Sequence, residues 1–310
     1  MRVEVFASLA HYRAHIAPIW WALPEAMRGP IHPLGDMEPT YPDSVGLVAS
    51  AVDCHLLRGK CKVIYVEHGA GQTYTGGDLA AAQNPSYSAH GGERWPHVIG
   101  FIAPSLQVAR NWKSAPAVAV GCPKMDQYIG WRCQQRSVCF VWHWDANFCP
   151  EASQTWTYWA AGMKEVTDHF KRQEVIVYGH GHPKWGGALD MPMRMAGMSV
   201  LPSEVGVFLH ASTMFVDNSS LGPEFASLGR PVYWLNAPWY RRDVCHGRRF
   251  WEWTALTAAF DSPAELLDID IDLLNSSYDS RRLAENAYAY FDGEAAQRAA
   301  LFVMQRLANL

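Results

Sequence analysis

Strand-like apolar runs alternate with helical segments along most of this 310-residue chain. Runs rich in β-branched and aromatic residues, bounded by Gly, Pro, Ser or Asp, predict a first set of strands at residues 3–6, 45–49, 63–66, 97–103 and 117–120. A second set is predicted at residues 138–142, 175–178, 215–216 and 232–235, with helices at 151–170 and 203–211. Strands that alternate with helices form parallel sheets, which predicts an α/β fold.

Two lobes are expected, because 310 residues exceed what one hydrophobic core usually organises. A polar, irregular stretch at residues 128–136 separates the two sets of strands. We therefore predict one Rossmann-like lobe over residues 1–130 and a second over residues 131–310. Their parallel sheets are expected to face a central cleft.

Composition excludes several classes of protein. Hydrophobic residues make up 49% and charged residues 18% of the chain, which is typical of a globular rather than a disordered protein. The net charge of −4 provides no general attraction to nucleic acid or to an anionic membrane. Seven cysteines without a C-x-x-C pair, and no signal peptide, predict a reduced cytoplasmic location.

The first helix carries two histidines. Ser8 is expected to cap this helix, and Pro18 is expected to end it. His11 and His15 have the i, i+4 spacing of a metal pair, but the Glu of an H-E-x-x-H motif is missing between them. We interpret them as one face of a helix close to the cleft.

A Ser-rich turn follows the strand at residues 215–216. Ser219 and Ser220 are expected to cap the short helix after it, and backbone N–H groups at such a helix start bind phosphate. Asp217 and Glu224 flank the turn and are candidates to hold a sugar or ribose hydroxyl. An ordinary strand–helix–strand unit with a plain cap is the alternative.

Histidines follow two other strands. In parallel sheets, ligands bind outside the carboxyl ends of the strands. His68 comes directly after the third strand of the first set, and Gly69 and Gly71 would let the backbone approach a ligand closely. His180 and His182 come after the second strand of the second set. These residues are therefore expected at the cleft.

Five motifs occur in a fixed order along the chain. They are EHGAG at 67–71, IAPSLQVARNW at 102–112, GCPKMD at 121–126, GHGHPKW at 179–185, and DNSS at 217–220 with GRPV at 229–232. Together they resemble the motifs of the CDP-glycerol glycerophosphotransferase-like family. The resemblance covers roughly residues 63–307 and implies the two-lobed GT-B architecture, which UDP-sugar 2-epimerases share. It also implies that the final helix, near residues 295–308, crosses back to the first lobe.

The resemblance implies a transferase that moves a sugar or glycerol-phosphate group from a nucleotide-diphosphate donor to an acceptor hydroxyl. His68 matches the general base, with Glu67 as the residue that orients its ring. The donor-binding residues implied on the second lobe are His182, Lys184, Asp217, Ser219, Ser220, Glu224 and Arg230. Further candidates are His143, Asp145, Gly69, Gly71 and Arg241. No metal and no cofactor other than the activated donor is expected.

Two other functions stay open at this point. The same architecture serves nucleotide-sugar 2-epimerases, which would use carboxylates as acid and base, and it would also serve a non-catalytic nucleotide-sugar-binding protein. The donor is either a nucleotide-diphosphate sugar or CDP-glycerol. The acceptor is a glycan, a small metabolite or a modified nucleobase, and the motifs do not distinguish among these three classes.

Overall fold

The computed structural model describes residues 1–70, 95–143, 155–238, 253 and 255–310. The chain forms two compact units, one of Met1–Ile129 with Glu285–Leu310 and the other of Gly130–Ala284. Each unit is built on a parallel six-stranded sheet flanked by helices, counted over the described residues. The predicted α/β class and the two Rossmann-like lobes are confirmed.

The sheet of the first unit has the strand order β2-β1-β3-β4-β5-β6. Its strands are β1 (Val3–Val5), β2 (Arg28–Ile31), β3 (Val45–Val48), β4 (Lys62–Val66), β5 (Val98–Ala103) and β6 (Ala117–Ala119). The sequence pattern misses β2, because its Gly29 and Pro30 are poor strand formers. Proline is tolerated there because β2 is the edge strand of the sheet.

The helices of this unit are α1 (Ala10–Ala22), α2 (Ala51–Leu56) and α3 (Leu106–Asn111), and 3₁₀ turns cover Glu25–Met27 and Pro123–Tyr128. The prediction for α1 is wrong at both ends. Leu9 is the N-cap residue, and the helix continues through Pro18. A proline inside a helix costs about 3 kcal/mol. Burial of Ile16 and Ile19, both fully inaccessible to solvent, offsets that cost.

The second unit has the strand order β12-β11-β10-β7-β8-β9. Its strands are β7 (Ser137–Trp142), β8 (Ile176–Gly181), β9 (Ser199–Val200), β10 (Thr213–Val216), β11 (Val232–Leu235) and β12 (Ala259–Phe260). Large aromatic side chains fill its core, including Trp142, Trp159 and Phe215. The sequence pattern misses β9 and β12, which have only two residues each and carry no periodic signal.

The helices of the second unit are α4 (Thr155–Trp159), α5 (Met163–Arg172), α6 (Asp190–Met195), α7 (Glu204–His210), α8 (Leu221–Ala226), α9 (Pro263–Leu266) and α10 (Ile271–Ser276). Two 3₁₀ turns, Ala160–Gly162 and Pro183–Trp185, separate some of them. Helix α11 (Ser280–Ala287) spans the point at which the chain returns to the first unit, and α12 (Ala295–Ala308) ends it. Among the helices described, none is both long and apolar enough to cross a membrane.

Helix α12 belongs to the core of the first unit. Ala299 and Val303 are fully buried in the cluster that also contains Val5 of β1. The Asp126 carboxylate accepts the N–H groups of Ala295 and Ala296 at 3.2 and 2.7 Å. This carboxylate therefore caps α12 from a position about 170 residues earlier in the sequence, which gives the GCPKMD motif a structural role.

Candidate functional site

Each sheet contains one point where the strand order reverses. In the first unit it lies between β1 and β3, and in the second between β7 and β10. Open α/β sheets bind ligands outside the carboxyl ends of the strands at such a point. We name the polar groups there the unit 1 switch site (Ser8, Tyr12, Ser50, Asp53 and His68) and the unit 2 switch site (His143, His182, Asp217, Ser219 and Ser220).

Polar links across the reversal point organise the unit 1 switch site. The Ser8 N–H, after β1, donates to Asp53 Oδ2 at 3.1 Å. Ser50, after β3, accepts the Asp53 N–H at 3.4 Å, and its side chain lies near that of Tyr12. Asp53 is fully buried, and this burial raises the pKa of its carboxyl group. The loop after β1 is thus attached to the start of α2.

His68 lies beside α1 at this site. Its ring centroid is 4.7 Å from that of Tyr12, 6.3 Å from that of His11 and 6.2 Å from that of His15. Gly69 follows with a φ of 80°, a left-handed conformation that favours glycine. The structure therefore places the predicted base at the carboxyl end of β4, with three aromatic side chains of one helix around it.

Burial favours a neutral imidazole at His15, next to His68. His15 is 4% exposed, and its pKa lies well below the usual value because of burial, with further contributions from Lys124, His68 and His11. Lys124, in the GCPKMD motif, is itself buried. A neutral imidazole can accept a proton, which is the property that a general base needs. Glu67 is buried as well, and its role in orienting His68 stays a prediction.

A carboxylate joins the two strands at the reversal point of the second unit. Asp217, after β10, accepts the main-chain N–H of His143, after β7, at 2.8 and 3.0 Å from its two oxygens. Burial raises the pKa of Asp217 to about 7, although hydrogen bonds from His143, Asn218 and Thr155 oppose the rise. These contacts show that Asp217 links the two strand ends, and its role in holding a donor hydroxyl stays a prediction.

Two imidazoles lie next to this carboxylate. The rings of His143 and His182 are 5.3 Å apart, and Trp185 Nε1 donates to the His143 carbonyl at 2.9 Å. His182 Nδ1 accepts the Lys184 N–H at 3.1 Å. A neutral imidazole whose Nδ1 accepts carries its proton on Nε2, so His182 Nε2 is a hydrogen-bond donor. Such a donor suits a phosphate oxygen.

The Ser-rich turn differs in detail from its prediction. Ser220 already has helical backbone angles, and its side chain forms no capping bond. Ser219 Oγ instead accepts the Leu221 N–H at 3.3 Å. The Ser220 hydroxyl, which is partly exposed, forms no hydrogen bond to the described residues. The prediction that the Ser220 side chain caps α8 is therefore wrong.

Three other predicted donor-binding residues have different surroundings. Arg230 precedes β11, at the amino end of the sheet, and donates to the carbonyls of Phe208, Ala211 and Trp131. These bonds use the guanidinium to join main-chain segments of the fold, and a donor-binding role for Arg230 stays a prediction. Glu224 is fully buried within α8. Partial burial lowers the pKa of Lys184, whose side chain is otherwise exposed.

Some predicted residues lie elsewhere. Gly71, Asp145 and Arg241 lie outside the described residues. His180 does not follow β8 but lies within it, where its Nδ1 is 2.8 Å from the Leu201 carbonyl. It is a buried core histidine.

Tyr12, Ser50 and Asp53 were not among the predicted site residues. Ser50 and Asp53 form the S-x-x-D pattern of a capping box directly after a predicted strand, so this pair could have been predicted from the sequence. Tyr12 belongs to no such motif. Its position depends on how α1 packs against β1 and β3.

No family model matches this sequence, and neither does any curated protein at a significant level. Solved structures do match. The wall teichoic acid polymerase TagF, solved after a soak with CDPG, is 12% identical, with a TM-score of 0.59 over 99% of this chain and 89% of that one. The UDP-GlcNAc 2-epimerase of Neisseria meningitidis, bound to UDP-GlcNAc, is 11% identical, with a TM-score of 0.59 over 100% of both chains.

A second structure of a UDP-N-acetylglucosamine 2-epimerase is also similar. It is 12% identical, with a TM-score of 0.59 over 100% of this chain and 98% of that chain. Identities this low establish the fold alone. This chain therefore has the GT-B-like fold that TagF and the UDP-GlcNAc 2-epimerases share.

Proposed function

We propose that this protein is a transferase that moves a sugar or glycerol-phosphate group from a nucleotide-diphosphate donor to an acceptor hydroxyl. The observation that carries the proposal is the unit 2 switch site. There, the ends of β7, β8 and β10 bring His143, His182 and the Ser219–Ser220 turn to the one edge of the sheet where α/β folds bind ligands.

The donor groups in the second unit match a diphosphate. His182 presents an Nε2–H donor, Ser220 a hydroxyl without a partner among the described residues, and Lys184 a cationic side chain. Fixed donors and a cation stabilise the charge that develops on a leaving diphosphate. TagF was solved with CDPG and the Neisseria enzyme with UDP-GlcNAc, and both compounds fit this chemistry.

The first unit supplies the acceptor side of the reaction. An acceptor hydroxyl must lose its proton as it attacks, and a histidine accepts that proton near neutral pH. His68 follows β4 beside α1 and is the histidine that the motif comparison implies for this role.

Calorimetric titration with CDP, UDP and the corresponding activated donors tests the proposal. A ligand that binds only the folded state also raises the melting temperature, which provides an independent readout. We expect one nucleoside diphosphate to bind and its activated form to be consumed in the presence of an acceptor. The absence of binding by every nucleoside diphosphate and its conjugates would rule the proposal out.

The Ser220→Ala variant is expected to bind the nucleoside diphosphate more weakly. A hydrogen bond to a charged group contributes about 1.5–3 kcal/mol, which corresponds to a roughly 10- to 150-fold higher Kd. Ser203→Ala is the matched control, because Ser203 caps α7 in the same unit and does not belong to the switch site. Equal affinities of Ser220→Ala and the parent protein in calorimetry would contradict the assignment.

Transfer is expected to continue when divalent metals are removed. In the proposal, the negative charge of the leaving diphosphate is stabilised by His182, Ser220 and Lys184. Mg²⁺ stabilises this charge in other transferases. Initial rates should be the same within about twofold in buffer and in excess EDTA. Complete loss of activity in EDTA, restored by Mg²⁺ or Mn²⁺, would show that these residues do not suffice.

A 2-epimerase is the second candidate. It is favoured by two buried carboxyl groups at the carboxyl edge of the first sheet, Asp53 and Glu67, since burial raises the pKa of Asp53 toward the range of a useful acid. Incubation of the nucleotide sugar in D₂O separates the candidates. Deuterium at C2 of the sugar would identify an epimerase, whereas tight binding without turnover would identify a binding protein.

A further inference from the structure

A polar link holds the loop before α1 against the start of α2. The Ser8 N–H donates to Asp53 Oδ2 at 3.1 Å. Ser50 is the N-cap residue of α2 and accepts the Asp53 N–H. The first turn of α1, which carries Tyr12, therefore follows a loop that is attached to α2.

The Tyr12 ring packs against His68. The two ring planes are inclined at 75° with centroids 4.7 Å apart, an edge-to-face arrangement. The Tyr12 ring also contacts His11 at a centroid distance of 4.0 Å. Edge-to-face pairs of aromatic rings have a preferred geometry, so the Tyr12 ring restricts the orientation of the neighbouring imidazole.

We propose that Tyr12 is a positioning residue whose ring sets the orientation of the His68 imidazole by packing edge-to-face against it. The consequence for catalysis rests on the proposed function of His68 as general base. The geometric part does not, because it concerns only the ring orientation in the protein itself. A base must lie within hydrogen-bond reach of the proton that it removes, and a misplacement of about 1 Å can cost up to 10²-fold in rate.

NMR of the histidine side chains tests the geometric part without any substrate. The His68 ring signals are identified by their loss in His68→Gln. In Tyr12→Leu, we expect the His68 ring resonances to move, because the aromatic ring that shifts and orients them is gone. Tyr12→Phe keeps the ring and should shift them less. The control is Tyr41→Leu, since Tyr41 belongs to the same unit, is 40% exposed and has its ring against Arg2.

Loss of the ring current alone also moves signals, so the second readout is the nuclear Overhauser pattern between His68 and the neighbouring rings of His11 and His15. We expect this pattern to change in Tyr12→Leu and to persist in Tyr12→Phe. An unchanged pattern in Tyr12→Leu would overturn the proposal. If Tyr12→Leu does not fold, as judged by circular dichroism, Tyr12→Met also removes the aromatic ring and is tested in the same way.

Kinetics add the catalytic part. Tyr12→Leu should lower kcat by about 10- to 100-fold with the donor KM within about twofold, and Tyr12→Phe should recover most of the loss. Normal kcat in Tyr12→Leu, in a protein that requires His68, would overturn the positioning role. If His68→Ala keeps its activity while Tyr12→Leu still changes the His68 contacts, the proposed role of His68 as the base fails and the geometric inference stands.

Discussion

Replacement of His68 by alanine is expected to lower kcat by ~10²–10⁴-fold, the usual contribution of a positioned general base. Donor affinity should stay close to that of the parent protein, because the residues proposed to hold the diphosphate belong to the second unit. Steady-state kinetics give kcat, and calorimetry with the nucleoside diphosphate gives the donor affinity. Together they separate a loss of chemistry from a loss of binding.

Two variants control this experiment. His55→Ala removes an exposed histidine of α2 in the same unit and should leave kcat and donor affinity unchanged. His182→Ala should raise the Kd for the donor, because the Nε2–H donor of the unit 2 switch site is lost. If His68→Ala kept a near-normal kcat, His68 would not be the base, and His143 would be the next histidine to test.

The free energy of unfolding is expected to fall by about 4 kcal/mol through Asp217 as the pH rises from about 4 to above 7. The pKa of Asp217 is raised from 3.8 to about 7, so the folded protein keeps a proton that the unfolded chain has lost. The contribution of protonated Asp217 to the free energy of unfolding is therefore fully present below about pH 4. It is lost as the pH rises through the pKa that Asp217 has in the folded protein. About three pKa units at 1.36 kcal/mol each give this magnitude.

Asp217→Asn isolates this contribution, because asparagine is neutral at every pH. The difference in unfolding free energy between the parent and this variant, measured by urea denaturation, should change by about 4 kcal/mol across the window. Asp268→Asn is the matched control, since Asp268 is exposed in the same unit. A parallel pH dependence of the parent and Asp217→Asn would show that Asp217 does not titrate in this range.

The alternation of strands and helices was readable from the sequence alone. Long apolar runs such as Ser137–Trp142 are buried along their whole length, so their apolar composition directly indicates buried strands. Edge strands were not readable. Arg28–Ile31 contains Gly and Pro, and Ser199–Val200 is too short for any periodicity, so both are strands only because a neighbouring strand offers hydrogen bonds.

The candidate site was only partly predictable. Parallel topology places every residue that follows a strand at the carboxyl edge, so His68, His143 and His182 could be named from local sequence. The same rule does not show which of these polar groups form hydrogen bonds within the protein. Asp217 is hydrogen-bonded to the His143 N–H, and Arg230 to three main-chain carbonyls, through contacts between segments at least 19 residues apart.

By itself, the sequence determined the fold class, the strand-end histidines and the Ser-rich turn, because hydrophobic periodicity and strand-end position are local properties. The tertiary structure decided the rest. Only the packing of α1 against β1 and β3 brings Tyr12 to His68, and only the adjacency of β7 and β10 brings Asp217 to His143. The physical reason is that hydrogen bonding and burial depend on distances in space, and strand order sets these distances independently of distance along the chain.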